Sequence, residues 1–105
     1  MEITFDKDYL EELYYKGQAT DKKHRFQPQI VKRYIRVIDI LRASAKIEEL
    51  FRINSLNYEV LSGDKKGIES VRVNDQYRLE FVSKTVVNET IITICNVLEL
   101  SNHYK

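Results

Sequence analysis

The sequence has little of what would open, staple or punctuate a chain. It holds 105 residues with three glycines, one proline, one cysteine and no tryptophan. So few glycines and prolines argue against a low-complexity or disordered chain, and 43% hydrophobic with 31% charged residues is an ordinary globular balance. One cysteine, Cys95, excludes an intrachain disulfide and suits a reducing compartment. It has no neighbouring Cys or His at a zinc spacing, so no metal is expected. Neither sign of charge dominates: 17 Lys and Arg face 16 Asp and Glu, a net +1. No apolar run approaches the ~20 residues that cross a bilayer, and Met1-Glu2-Ile3-Thr4-Phe5-Asp6 has no basic, then apolar, leader pattern. A cytoplasmic protein with no membrane contact is expected. Also missing are a Gly-rich nucleotide loop and a serine-based catalytic motif, so no cofactor is expected.

What is present falls into a helical half and a strand half, within the size of one domain spanning 1–105. Ile3 and Phe5 alternate with polar neighbours and predict a short first strand. Asp6 or Asp8 can cap a helix whose apolar stripe is Tyr9, Leu10, Leu13 and Tyr14, with Gly17 at its end. Gln18–Gln27 reads as a polar loop carrying Lys22, Lys23, His24 and Arg25. Its cations suit either a nucleic acid or plain solvent. Pro28 opens a second helix, with Ile30, Val31, Tyr34, Ile35, Val37, Ile38 and Leu41 at helical spacing and Lys32, Arg33 and Arg36 on the other side. Ser44 is placed to cap a short third helix. From Tyr58 the period becomes two, and strands are predicted over Ile68–Val73, Tyr77–Ser83 and Thr90–Leu100. The expected class is α+β, with two to three helices on one face of a mostly antiparallel sheet.

Strand parity locates the charges. A two-residue turn at Asn74-Asp75 would set Val71 against Arg78 and mix the faces. A three-residue turn sets Val73 opposite Tyr77, Val71 opposite Leu79 and Arg72 opposite Arg78, keeping the apolar residues together. The two guanidinium groups then sit side by side on the open face. They suit a phosphate, unless Glu80, diagonal to Arg72, neutralises them. On the last strand Ile92, Ile94, Leu98 and Leu100 are expected to face the helices. His103 then emerges on the arginine face, provided no bulge intervenes.

The stretch LNYEVLSGDKKGIESVRVNDQYRLEFV, residues 56–82, carries Gly63-Asp64-Lys65-Lys66-Gly67, then Ser70-Val71-Arg72-Val73-Asn74, then Tyr77-Arg78. It resembles the signature of HigB-type toxins in the RelE-like toxin–antitoxin superfamily, and the order of elements agrees over most of the chain. The resemblance implies a RelE-like fold and a ribosome-associated endoribonuclease that cuts messenger RNA without a metal. It also implies a helix-turn-helix, HigA-like antitoxin as partner, through which alone operator DNA would be bound. By the same resemblance Arg78 stabilises the reacting phosphate, His103 transfers protons, and Lys65 assists near the chemistry. Lys66, Arg72, Tyr104, Lys22, Lys23 and Arg25 are then expected to bind RNA. The chain departs from the family ending Asp-Tyr-His, reading Ser101-Asn102-His103-Tyr104-Lys105. That departure keeps open an alternative: a catalytically weak module acting through antitoxin binding and operon autoregulation.

Overall fold

The computed structural model describes residues 1–102, so His103, Tyr104 and Lys105, with the roles expected of the first two, lie outside the described residues. Strand β1 (Glu2–Phe5) leads to helix α1 (Asp8–Lys16) and helix α2 (Pro28–Ala43). Four strands follow: β2 (Glu59–Val60), β3 (Glu69–Arg72), β4 (Tyr77–Val87) and β5 (Ile91–Asn102). They form one sheet in the order β1-β5-β4-β3-β2, antiparallel except where β1 runs parallel to β5. The expected α+β layout is the one observed.

The helices begin and end for identifiable reasons, not all of them those expected. Neither Asp6 nor Asp8 caps α1: Lys7 holds the cap position without a side-chain bond. Asp8 and Glu11 instead lie in the first turn, where carboxylates meet the positive end of the helix dipole. Gly17 closes α1 at φ 77°, a left-handed conformation that glycine adopts at no steric cost. Pro28 begins α2 at a position where its missing N–H is not needed. Ser44 ends α2 rather than starting the next helix, its hydroxyl donating to the Ile40 carbonyl at 2.8 Å. The following 3-10 turns, Ile47–Arg52, are started by Lys46, and the Glu49 carboxylate accepts the backbone N–H groups of Ala45 and Lys46.

The core lies between the helices and one face of the sheet. Leu10 and Leu13 of α1, Tyr34, Ile38 and Leu41 of α2, and Val71, Leu79, Phe81, Cys95 and Val97 of the strands are all fully enclosed. Tyr34 spends its hydroxyl on the Leu10 carbonyl at 2.6 Å, tying the two helices together inside that layer. The β3–β4 register is the expected one, with Val71 opposite Leu79 and Arg72 opposite Arg78. The Val73 N–H reaches the Tyr77 carbonyl across the three-residue turn at 3.0 Å.

On β5 the expected faces are corrected. Glu80 pairs with Glu99, but its neighbour Phe81 pairs with Val97, so Leu98 is an extra residue bulged out of the ladder. Leu100 faces inward as expected. Beyond the bulge the inward positions pass to Thr93, Cys95 and Val97, while Ile92 is left exposed and Ile94 and Leu98 half-buried. Strands β4 and β5 also run past their neighbours. β3 covers β4 only to Phe81 and β1 covers β5 only from Ile94, so the hairpin end carrying Val86, Val87, Ile91 and Ile92 stands out as a two-stranded ribbon.

Candidate RNA-binding site

The alternation that sends Val71, Leu79 and Phe81 inward sends Ser70, Arg72, Arg78 and Glu80 to the opposite face of the sheet. Glu80 is only 2% exposed although it is a carboxylate, and its surroundings explain why that is tolerated. Lys65, delivered by the short turn Gly63–Lys65, donates its ammonium to both Glu80 oxygens at 3.0 and 2.8 Å. Arg78 donates Nε–H to the same carboxylate at 3.2 Å and holds Nη1 3.8 Å from Glu59 of β2. A loop cation and a strand cation, 13 positions apart in the chain, thus share one anchor.

Arg72 does not take part in that anchor, and Glu80 does not neutralise it. Its guanidinium turns instead to Asp75 in the β3–β4 turn. The turn is held by the Asn74 side-chain oxygen, which accepts from the N–H groups of Gln76 and Tyr77 at 2.9 and 2.7 Å. Arg72 and Arg78, with Asn57, Glu59, Ser70 and Asn74, line a cleft of about 170 Å³ beside the Lys65–Glu80 pair. Arg33 of α2, read from the sequence as part of an exposed helix stripe, lines a second depression with Arg72, Asp75 and Gln76. Its helical period gave no sign of that proximity, which depends on where the β3–β4 turn folds back. Lys66 is exposed next to Lys65.

Lys22, Lys23 and Arg25 are exposed on the α1–α2 loop and are joined to the Glu80 cluster by no hydrogen bond or ion pair among the described residues. That loop is anchored rather than simply solvated. Asp21 accepts the His24 backbone N–H and contacts its ring Nδ1, both at 2.9 Å, and the hydrogen bond to His24 lowers the Asp21 carboxyl below its usual range. The His24 ring lies flat on Tyr9, centroids 3.6 Å apart and planes within 4°. Tyr9 in turn accepts the Leu100 N–H at 3.2 Å, and burial pushes its hydroxyl up to about 12. The sequence left His24 between an RNA contact and a solvated loop; its ring stacks on Tyr9 and so fixes the loop to the core.

A second buried carboxylate escaped the sequence reading. Glu69 shares parity with Val71 and points into the helix side, where it accepts from the Tyr58 hydroxyl at 2.5 Å and from the Ser83 N–H and hydroxyl at 2.7 and 2.6 Å. Burial, then the Glu69 bond, pushes the Tyr58 hydroxyl far up. All its partners are internal, which makes it a structural group. Among the described residues no three His, Cys, Asp or Glu side chains gather as a metal site would require. No helix among them is long and apolar enough to cross a membrane.

The site can therefore do one thing well: present guanidinium and ammonium donors, from a sheet face and an adjoining turn, to an anion. Comparison with known proteins gives that cluster a setting. A profile described as "RelE-like toxin of type II toxin-antitoxin system HigB" matches residues 3–94. Toxin HigB-1 of Vibrio cholerae is 40% identical over 83 residues, covering 77% of this chain and 82% of that protein. Among solved structures, a YoeB/ParE toxin from Agrobacterium tumefaciens superposes with a TM-score of 0.55 over 99% of this chain and 100% of that one, at 17% identity, a likeness of fold. The match of profile and sequence over most of its length means that this chain belongs to the HigB-like family of RelE-like toxins in type II toxin–antitoxin systems.

Proposed function

We propose that the chain is a ribosome-associated endoribonuclease that cuts messenger RNA and is held in check by a helix-turn-helix antitoxin. The observation that carries this is the convergence of Lys65 and Arg78 on the sheet face beside a cleft, with Arg72 across from them. Cleavage without a metal needs the ribose 2′-hydroxyl to attack the adjacent phosphorus while the bond to the 5′-oxygen breaks. The nucleophile must lose a proton, the leaving oxygen must gain one, and the extra negative charge between must be stabilised. Arg78 keeps Nη2 for that charge, with Nε on Glu80 and Nη1 3.8 Å from Glu59, and Lys65 adds a second cation from the turn. Lys66 and Arg72, with Lys22, Lys23 and Arg25 further along the surface, hold the backbone on either side. His103 is assigned the proton transfer and Tyr104 a stacking contact with a base.

A second function is favoured by one observation: in the free protein Lys65, Arg72 and Arg78 are each already paired with a carboxylate. A site so neutralised suits a binding module that acts through its antitoxin and operator. Induction in cells, with primer extension to locate new mRNA ends, separates the two. Arg78→Ala is expected to lower cleavage by ~10²–10³ and relieve growth arrest. It should still fold, because Glu80 keeps both bonds from Lys65. His103→Ala is expected to lower cleavage by ~10²–10⁴. No cleavage by the wild type on translating ribosomes would leave the binding module standing alone.

A further inference from the structure

Resting on the RNA-cleaving function above, we propose that Glu80 is a positioning residue, the internal carboxylate that sets Lys65 and Arg78 in register for phosphate. Three observations lead there. Glu80 is almost wholly enclosed on the face of the sheet away from the helices, where a charge is costly unless it is paired. Its cross-strand neighbour on β5 is Glu99, a like charge, so the ladder itself gives it no compensation. What compensates is the pair of cations assigned to the chemistry: Lys65 on both oxygens and Arg78 through Nε.

The geometry of those bonds matters more than their number. Arg78 is two positions from Glu80 on one strand, and would face the same way with any residue at position 80. Lys65 is different. It stands on a turn that only its side chain ties to β4, and among the described residues its ammonium has no hydrogen-bond partner except Glu80. Two ammonium hydrogens go to the carboxylate and the third is left over. Arg78 gives Nε–H to Glu80, has Nη1 3.8 Å from Glu59, and retains Nη2. Each cation is thus held on one side by Glu80 and keeps donors on the other, an arrangement that aims both at one bound phosphate. Without the carboxylate they would repel each other, and the Gly63–Lys65 turn, still held to β3 by its backbone, would lose its side-chain tie to β4.

Glu80→Gln keeps the shape and removes the charge. The test is steady-state cleavage of a single defined mRNA on purified ribosomes, with melting curves for each variant. The expected result is a kcat lowered by on the order of 10²-fold, as for a catalytic group displaced by about an ångström, with KM unchanged or lowered because the phosphate meets one negative charge fewer. Glu80→Asp keeps the charge and draws it back by one methylene, so its kcat should fall between wild type and Glu80→Gln. Unchanged kcat in Glu80→Gln overturns the proposal. So does unchanged kcat with lower KM, which would make Glu80 only a competitor of phosphate. If Glu80→Gln fails to fold, Glu80→Asp decides: reduced kcat supports positioning and wild-type kcat overturns it. An absence of cleavage by the wild type itself would instead sink the RNA-cleaving function, a result distinct from any of these.

Discussion

At the scale of single residues, the chain separates titratable groups that are sealed from those that are on offer. Cys95 is fully enclosed, and burial pushes its thiol from 9.0 up to about 11, while Tyr9 rises from 10.0 to about 12 for the same reason. Both hold their protons more tightly in the folded chain than in the unfolded one. Their contribution to stability is therefore complete below the unfolded values, and is lost as pH climbs through the folded ones. The melting temperature is expected to decline steadily between pH 9 and 12, and Cys95→Ser should remove the earlier part of that decline. Cys95 should also react with a thiol reagent at least ~10³-fold more slowly in the native protein than in denaturant, in proportion to the unfolding equilibrium. Fast native labelling would mean that Cys95 does not face the core. Lys65 and Arg78 are the reverse case, partly exposed cations held by the enclosed Glu80. Arg78 lines the cleft; strand parity put Glu80 on the arginine face, but the pairing of Lys65 was not readable from spacing, because the turn that brings it to β4 is a tertiary event.

At the scale of elements, the difference between β3–β4 and β5 shows what a sequence can and cannot specify. Val71, Val73, Tyr77, Leu79 and Phe81 leave one turn length that keeps them together, so the pairing of Arg72 with Arg78 was legible in the sequence. β5 offered two nearly equivalent apolar parities, and the choice between them rests on one bulged residue, Leu98, which no local pattern announces. Ser44 failed as a helix start for a related reason: the same hydroxyl serves a helix beginning or, as here, bonds back to Ile40 at a helix end. The bulge can be tested directly. Deleting Leu98 should leave Cys95, Val97 and Leu100 facing inward, because the residues on either side of the bulge would then alternate regularly. Native-state thiol labelling of the deletion variant should stay slow. If Cys95 becomes reactive, the bulge is not what sets the inward parity.

At the scale of the whole molecule, a net charge of +1 conceals a strip of cations, three of them paired with carboxylates: Arg33 and Arg72 share one depression, Arg72 and Arg78 the next cleft, and Lys65 and Lys66 the turn beside them. A strip of that kind binds nucleic acid by releasing counterions, so affinity falls as salt rises. Replacing Lys65 and Lys66 together with Ala should weaken ribosome or RNA association and flatten the log–log salt dependence by roughly 0.7–0.9 for each phosphate no longer neutralised. An unchanged slope would move the binding surface to Arg33 and its helix. The sheet order adds a consequence in time. Among the described residues β1, the first strand made, pairs only with β5, the last of them, with residues such as Ile3 and Cys95 joined across nearly the whole chain. During synthesis β1 has nothing to pair with, and Val71, Leu79 and Phe81 wait on a half-built sheet, until Ile91–Asn102 has left the ribosome. A fold closed by β5 leaves any chain that stops before Ile91 without a partner for β1 and with one side of β4 unpaired.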